Sequence, residues 1–311
     1  MSHLANRDFW QSYYRLPAHI QELADENFTL LKRDPRHPSL HLKKVGRHWS
    51  VWVGDHYRAV GVESPQGIAW YWIGYNNTLI NVFHKIEWDI RGARELSKKH
   101  WYFVTCNHQS WTDITAIQYA LNSKIPLLKF FLKKELIWVP LLGIAWWALD
   151  FPFMHRHTKE QIAKRPELKG KDIEATRKAC EKFRYTPVTI FNFMEGTRFT
   201  PEKHARQNSP YKNLLKPKAG GTAFVFGAMG EMIHTMLDVT IVYPDGRPGI
   251  WDYLSGRVRR IIIDIRTLEV PERFLGMDYE GNRELRADFQ RWVSGIWAEK
   301  DARIEELKAG G

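Results

Sequence analysis

Apolar and polar positions along the chain fall into two textures. From Leu31 to Gly67 the stretch LKRDPRHPSLHLKKVGRHWSVWVGDHYRAVGVESPQG mixes charges, prolines and glycines with no sustained period. Residues 1–66 therefore read as irregular chain, with room for a short strand or two. From Ile68 onward the periods become clear. AWYWIGYNNTLINVF, Ala69 to Phe83, reads as an amphipathic helix, and KIEWDIRG alternates at period two, as a strand does. HWYFVTC is a buried-strand run, and SWTDITAIQYALN places apolar residues at helical spacing with Ser110 or Thr112 able to cap. IPLLKFFLKKELIWV, Ile125 to Val139, reads as a helix carrying Lys129, Lys133 and Lys134. GKDIEATRKACEKFR is a further helix, PVTIFNF a strand, and KAGGTAFVFGAMGEM a small-residue helix. LDVTIVYP and RVRRIIIDIRTLEV read as strands, and LRADFQRWVSGIWAEKDARIEEL closes the chain as a helix. Strands alternating with helices predict an α/β fold, with a divergent N-terminal segment over 1–66 and the main domain over 67–311.

This pattern decides between two His–Asp pairs of identical spacing. In HKIEWD, His84 and Asp89 bracket a strand that rises about 3.3 Å per residue, so they stand roughly 16 Å apart and cannot touch. In CNHQSWTD, Cys106 to Asp113, His108 lies where a strand hands over to a helix, and a turn there brings Asp113 within reach. Ligand sites of α/β proteins favour the C-terminal ends of strands. A neutral imidazole can take a proton from an alcohol, and an Asp on its other nitrogen fixes the tautomer. Ser110 is close by but lacks the glycine-flanked elbow of a hydrolase nucleophile. The same loop taken alone also reads as a satisfied polar turn.

Two more loops carry candidate chemistry. In FMEGTR, Gly196 lets a ligand approach the backbone, Thr197 offers a hydroxyl, Arg198 offers a fork suited to phosphate, and Glu195 can accept from substrate hydroxyls. A strand-end turn with an ordinary Glu–Arg pair explains the same residues. In DFPFMHR, Arg156 sits at the edge of an apolar run, as a phosphate-binding cation or as a snorkelling side chain. Lys216 and Lys218, in LKPKAGG ahead of a helix, fit an anion site or a solvated turn equally.

Composition narrows the partners. The formal charge of +11 favours something anionic: nucleic acid, anionic lipid, or a phosphorylated substrate or carrier. The 14 Trp, 16 Phe and 12 Tyr suit a core and equally a membrane interface. Two cysteines, Cys106 and Cys180, make no disulfide framework and suggest no metal site. No helix-turn-helix, RNP-like strand or zinc spacing supports nucleic acid. The nearest approach to a membrane span, LIWVPLLGIAWWALDFPFM, carries Asp150, Pro140 and Pro152, so it reads as a buried or interface-lying segment.

Taken together the three loops resemble the phospholipid/glycerol acyltransferases, the family of bacterial lysophosphatidic acid acyltransferases. The first block, Asn-His-x4-Asp, is Asn107, His108 and Asp113; the second ends at Arg156; the third is FMEGTR, with Met194 where proline is usual; the fourth is VTIVYP, ending at Pro244. From about residue 69 to 300 the sequence resembles the YihG-like branch, inner-membrane enzymes of enteric-type bacteria. The resemblance implies a single domain with a mixed central sheet flanked by helices. It implies His108 as general base and Asp113 as its orienting partner, with Arg156, Glu195, Gly196 and Arg198 binding the glycerol phosphate. Asn107, Thr197 and Lys218 complete the candidate substrate-binding set. The implied reaction moves an acyl group from acyl-CoA or acyl carrier protein to a lysophospholipid hydroxyl at the cytoplasmic face of the bacterial inner membrane. A thioester is already activated, so neither metal nor further cofactor is expected. The alternative is a lipid-binding relative at the membrane surface with impaired catalysis. Members of this branch generally begin with hydrophobic helices, whereas residues 1–66 here are polar; a shifted reading frame across VGDHYRAVGVESP is one account of the difference, and the gene's codons decide it.

Overall fold

The computed structural model describes residues 7–34, 36–45, 48–62, 65–92, 95–130, 132–133, 138, 149, 151, 153–154, 171–184 and 186–310. The chain divides into two compact units, Met1–Ala69 with Lys182–Thr186, and Trp70–Glu181 with Pro187–Gly311.

The first unit corrects the expectation of irregular chain. It holds helices α1 (Arg7–Tyr13) and α2 (Ala18–Arg33) and an antiparallel sheet of β1 (Lys43–Val45), β2 (His48–Val53) and β3 (Tyr57–Val62). The turn between β2 and β3 passes through Gly54 at a φ of +65°, which L side chains rarely adopt. Asn27 of α2 donates to the Trp52 carbonyl, and the Arg58 guanidinium lies over the Trp52 ring. No side chain of α2 is fully buried, yet Ile20, Leu23, Ala24, Leu30 and Leu31 recur at helical spacing and form its half-buried face, a period the reading of 1–66 as irregular passes over.

Helix α3 (Pro65–Phe83) leads into the second unit, whose centre is a six-stranded sheet. Its strands are β4 (Glu87–Arg91), β5 (Tyr102–Cys106), β6 (Leu128–Lys129), β9 (Thr189–Asn192), β10 (Thr235–Val242) and β11 (Arg260–Glu269), in the order β4-β11-β10-β5-β9-β6. All pairings are parallel except β10 with β11, so the sheet is mixed. The α/β expectation with a mixed central sheet holds.

Helix α4 (Thr112–Leu121) packs Ala116, Ile117, Ala120 and Leu121 against Val104 and Ile241 on one face of the sheet. On the other face Phe103 meets Phe226 of helix α7 (Ala219–Met229), and Phe226 meets Phe289 of the long helix α9 (Arg283–Ala309). Helices α5 (Lys171–Cys180), α6 (Pro201–Gln207) and α8 (Ile250–Leu254) complete the elements. Under the sheet, the fully buried Lys300 of α9 pairs with Asp238 at 2.7 Å, a desolvated charge matched by a desolvated partner.

The expected helix over 125–139 is not formed where the structure describes it. Leu128–Lys129 is β6, and Leu132–Lys133 is β7, which pairs with β8 (Phe153–Met154). A short apolar run fits either element by period, and β9 offers an open edge at which Leu128 aligns with Thr189. Lys129 is buried there, its ammonium donating to the Leu149 carbonyl at 2.8 Å. Lys134, Arg156 and most of the aromatic run 136–152 lie outside the described residues.

Candidate active site

Parallel strands β10, β5 and β9 are neighbours, so their C-terminal ends deliver three loops to one place. β5 runs into Asn107 and His108, β9 into Phe193 and the loop 194–198, and β10 into Tyr243.

His108 Nδ1 and Asp113 Oδ2 are 2.8 Å apart. A carboxylate only accepts, so Nδ1 is the donor and the lone pair falls on Nε2. Asp113 is fully buried and held from every side. Oδ2 also accepts from the amides of Gln109 (2.7 Å) and Ser110 (2.9 Å), and Oδ1 accepts from the Tyr243 hydroxyl at 2.7 Å. Burial, and then the Asp113 charge, push the Tyr243 phenol well above its usual range, which keeps it a donor. The imidazole stacks on Phe193, centroids 3.8 Å apart and planes 13° apart. Its tilt is thereby fixed as well as its tautomer. Among the described residues Nε2 takes no hydrogen bond, and the side chain keeps 15% of its surface exposed.

The neighbours of this pair are spoken for. Ser110 donates its hydroxyl to the Pro248 carbonyl and accepts from the Thr112 amide. The N-cap position of α4 is Trp111, with no side-chain cap bond, so neither Ser110 nor Thr112 fills the expected capping role; the Ser110 hydroxyl is engaged by these two partners instead. Cys106 is fully buried, and burial raises its thiol well above the usual range. His84 and Asp89, the rejected pair, are indeed separate: Asp89 takes Arg91 and Arg260.

The remaining predicted residues divide into those that hold the loops and those that face outward. Asn107 is buried, and its amide makes a two-way pair with the Ile241 backbone, tying β5's end to β10. Glu195 is fully buried. Its Oε1 accepts from the His108 amide at 2.8 Å and its Oε2 from the Leu215 amide at 3.0 Å. Both oxygens are thus engaged by backbone rather than directed at a ligand. Desolvation outweighs these bonds and raises the Glu195 carboxyl to about 7. Thr197 accepts from Lys203, and the same ammonium reaches the Arg198 carbonyl.

Facing outward, Gly196 sits at a φ of +68° with the Lys218 side chain across it; a Cβ there would meet the Lys218 ammonium at 3.1 Å. The Arg198 guanidinium lies 4.4 Å above the ring of Trp111, itself exposed. The structure therefore brings together His108, Asp113, Glu195, Gly196, Thr197, Arg198, Asn107 and Lys218. Sequence reasoning missed Tyr243, Phe193 and Gln109, although Tyr243 stands at a strand's C-terminal end, where such a signal is readable.

The fold and site define a class: an α/β domain with a tautomer-fixed imidazole at the C-terminal ends of parallel strands, its carboxylate partner buried and cations alongside. Within that class, the chain belongs to the acyltransferase family. The family model described as Acyltransferase matches residues 87–243, just over half of the chain. Among curated relatives, the chain is 26% identical over 268 residues to the 2-acyl-1-lysophosphatidylinositol acyltransferase of Saccharomyces cerevisiae, covering 72% of this chain and 66% of that one. It is 24% identical over 222 residues to the human 1-acyl-sn-glycerol-3-phosphate acyltransferase delta, covering 67% of this chain and 53% of that one. The chain thus spans between half and two thirds of these relatives' length. A crystal structure of the 1-acyl-sn-glycerophosphate acyltransferase PlsC from Thermotoga maritima aligns with a TM-score of 0.44 at 17% identity, over 78% of this chain and 82% of that one. None of these names the YihG-like branch.

Proposed function

We propose that this chain is an enzyme that transfers a fatty acyl group from acyl-CoA or acyl carrier protein to the hydroxyl of a lysophospholipid, such as 1-acyl-glycerol-3-phosphate. The observation that carries this reading is the His108–Asp113 pair with Nε2 left open, beside a Ser110 hydroxyl already engaged and a buried Cys106. The names of the two relatives, one acting on a lysophosphatidylinositol and one on an acylglycerol phosphate, share the lysophospholipid acceptor.

The geometry supports the following chemistry. Nε2 takes the acceptor's hydroxyl proton as that oxygen attacks the thioester carbonyl. The imidazolium formed is stabilised by Asp113, whose own position is fixed by Gln109, Ser110 and Tyr243. The tetrahedral adduct collapses, the C–S bond breaks, and Nε2–H returns the proton to the departing thiolate. Arg198 and Lys218 provide cations for the acceptor's phosphate, joined by Arg156 on the family resemblance. Glu195 acts through the backbone it holds.

The acceptor lies in a membrane, and the surface supports docking there. None of the 19 residues of α3 is charged, and Tyr71, Trp72, Tyr75, Val82 and Phe83 are 62–76% exposed. Among the described residues no helix is long and apolar enough to cross a membrane. An uncharged helix rich in outward Trp and Tyr is suited to lie in the headgroup region. From its end a chain of contacts leads to the site. His84 stacks on Tyr253 of α8, next to the exposed Trp251 and Leu254; Pro248 accepts from Ser110; and Ser110 precedes the exposed Trp111, on which Arg198 rests. Placement at the cytoplasmic face of a bacterial inner membrane rests on the resemblance to the YihG-like branch.

The test is acyl transfer from oleoyl-coenzyme A, in detergent micelles, to a panel of lysophospholipids and to glycerol as a phosphate-free control. Transfer to at least one lysophospholipid and none to glycerol is expected. Transfer to neither contradicts the reading.

A further inference from the structure

A cavity of about 400 Å³ opens beside the end of β10, lined among others by Gln109, Asn213, Tyr243, Arg247, Ile304 and Lys308. It shares walls with the site described above. Gln109 follows His108 in sequence and holds Asp113 through its amide, while Tyr243 holds the other oxygen of Asp113.

Arg247 is the unusual residue of this wall. Its Nε donates to Gln109 Oε1 at 2.6 Å, and its guanidinium carbon lies 3.8 Å from the centre of the Phe199 ring. Phe199 in turn donates its amide to the His108 carbonyl at 2.7 Å. Several other arginines of this unit meet carboxylates: Arg260 meets Asp89, Arg266 meets Asp238, and Arg303 meets Asp264. Among the described residues no carboxylate pairs with Arg247, and its two terminal nitrogens take no hydrogen-bond partner. Arg247 is itself solvent-exposed, so its terminal N–H groups are open to an incoming anion. The second cation, Lys308, bonds to Asn213 and to Glu305, and Glu305 is shared with Lys212, so the positive charge of this wall is only partly balanced.

We propose that this cavity is an anion subsite in which Arg247 binds a phosphate-ester group of a substrate. Assigning the anion to a substrate rests on the acyl-transfer reading above. Two substrates of that reaction carry such a group: the acyl donor, through its phosphopantetheine and, in coenzyme A, its nucleotide, and the lysophospholipid acceptor. The geometry suits either. Nε is committed to Gln109, and the two free terminal N–H2 groups present the fork that grips two phosphate oxygens. Phe199 fixes the plane of that fork, so little side-chain freedom remains to be lost on binding.

Isothermal titration calorimetry on the intact chain separates the sources, with coenzyme A and glycerol 3-phosphate as probes. The wild type is expected to bind at least one. Arg247→Gln weakens that binding about tenfold or more, the loss of a charge-assisted pair. Arg247→Lys recovers part of it, and the melting temperature of both variants stays close to wild type. A loss confined to coenzyme A assigns the subsite to the donor, and a loss confined to glycerol 3-phosphate assigns it to the acceptor. Equal affinities in the wild type and Arg247→Gln, or a wild type that binds neither probe at millimolar concentration, overturn the proposal. Because these are binding measurements, a chain that binds anions through Arg247 yet acylates no lysophospholipid would refute the acyl-transfer reading and leave the anion subsite in place.

Discussion

At the scale of single residues, the site is governed by what surrounds two buried carboxyls. Asp113 meets four donors. Tyr243→Phe removes one hydroxyl and little volume. It is expected to lower the transfer rate constant about tenfold, the worth of a hydrogen bond to a charged group, while the acceptor's KM stays unchanged. A rate constant equal to wild type shows that the phenol does not help to position the pair. Glu195 yields a pH signature instead. Its carboxyl is raised to about 7 by burial, from an ordinary 4.5. The folded chain therefore holds this proton more tightly than the unfolded chain does. The resulting stability is fully present below about pH 4.5 and is lost as pH rises through about 7, a swing on the order of 3 kcal/mol. Glu195→Gln does not titrate, and its amide group opposes one of the two backbone N–H donors, so it should be the less stable protein at low pH. The gap narrows as pH climbs, readable by urea denaturation at pH 5 and pH 8. A gap independent of pH contradicts the shift.

At the scale of elements, helix α3 is the piece whose exposed side chains need an explanation. Replacing Trp72 and Tyr75 by Ala together removes two rings from its outward row. Binding to vesicles containing anionic lipid is expected to fall at least about tenfold in a sedimentation assay, given roughly 1–2 kcal/mol for each ring withdrawn from the interface. Unchanged partition shows that another surface docks. The elements also show what was legible. The second unit was read well because its helices and strands pack against a sheet, and packing writes a period into the sequence. Val104, Cys106 and Tyr102 face α4, while Phe103 faces α7, the alternation of a strand buried on both faces. The readable pair His108–Asp113 followed from that hand-over of strand to helix. The run at 125–139 failed because β6 and β7 are two residues each, too short for any period to show, and because Lys129 is buried against a carbonyl that sequence cannot reveal. In residues 1–66, β1 is exposed throughout and carries no apolar face to read, whereas α2 does repeat Ile20, Leu23, Ala24, Leu30 and Leu31 at helical spacing, a legible period masked by the charges and prolines that follow it.

At the scale of the whole molecule, charge, aromatic surface and site geometry agree. A chain of +11 that exposes rings along α3, α8 and Trp111, and that places Arg198, Lys218 and Arg247 near His108, suits the anionic lipid and phosphorylated substrates proposed above. Roles did not follow from motif membership alone. Asn107 and Glu195 are motif residues whose side chains bind backbone, while Phe193, inside the third block but given no role there, and Tyr243, outside the three blocks read first, complete the surroundings of the His108–Asp113 pair. Backbone contacts between loops far apart in sequence leave no periodic trace, so these partners become visible only once β5, β9 and β10 stand side by side.

The measurement that bears most directly on the account is the transfer of oleate from oleoyl-coenzyme A to lysophosphatidic acid by the intact chain, with His108→Ala alongside. The account predicts measurable transfer by the wild type and a loss of at least about a hundredfold in the variant, with its circular dichroism and melting temperature retained. Undiminished transfer by His108→Ala would contradict the assignment of the base and the mechanism built on it.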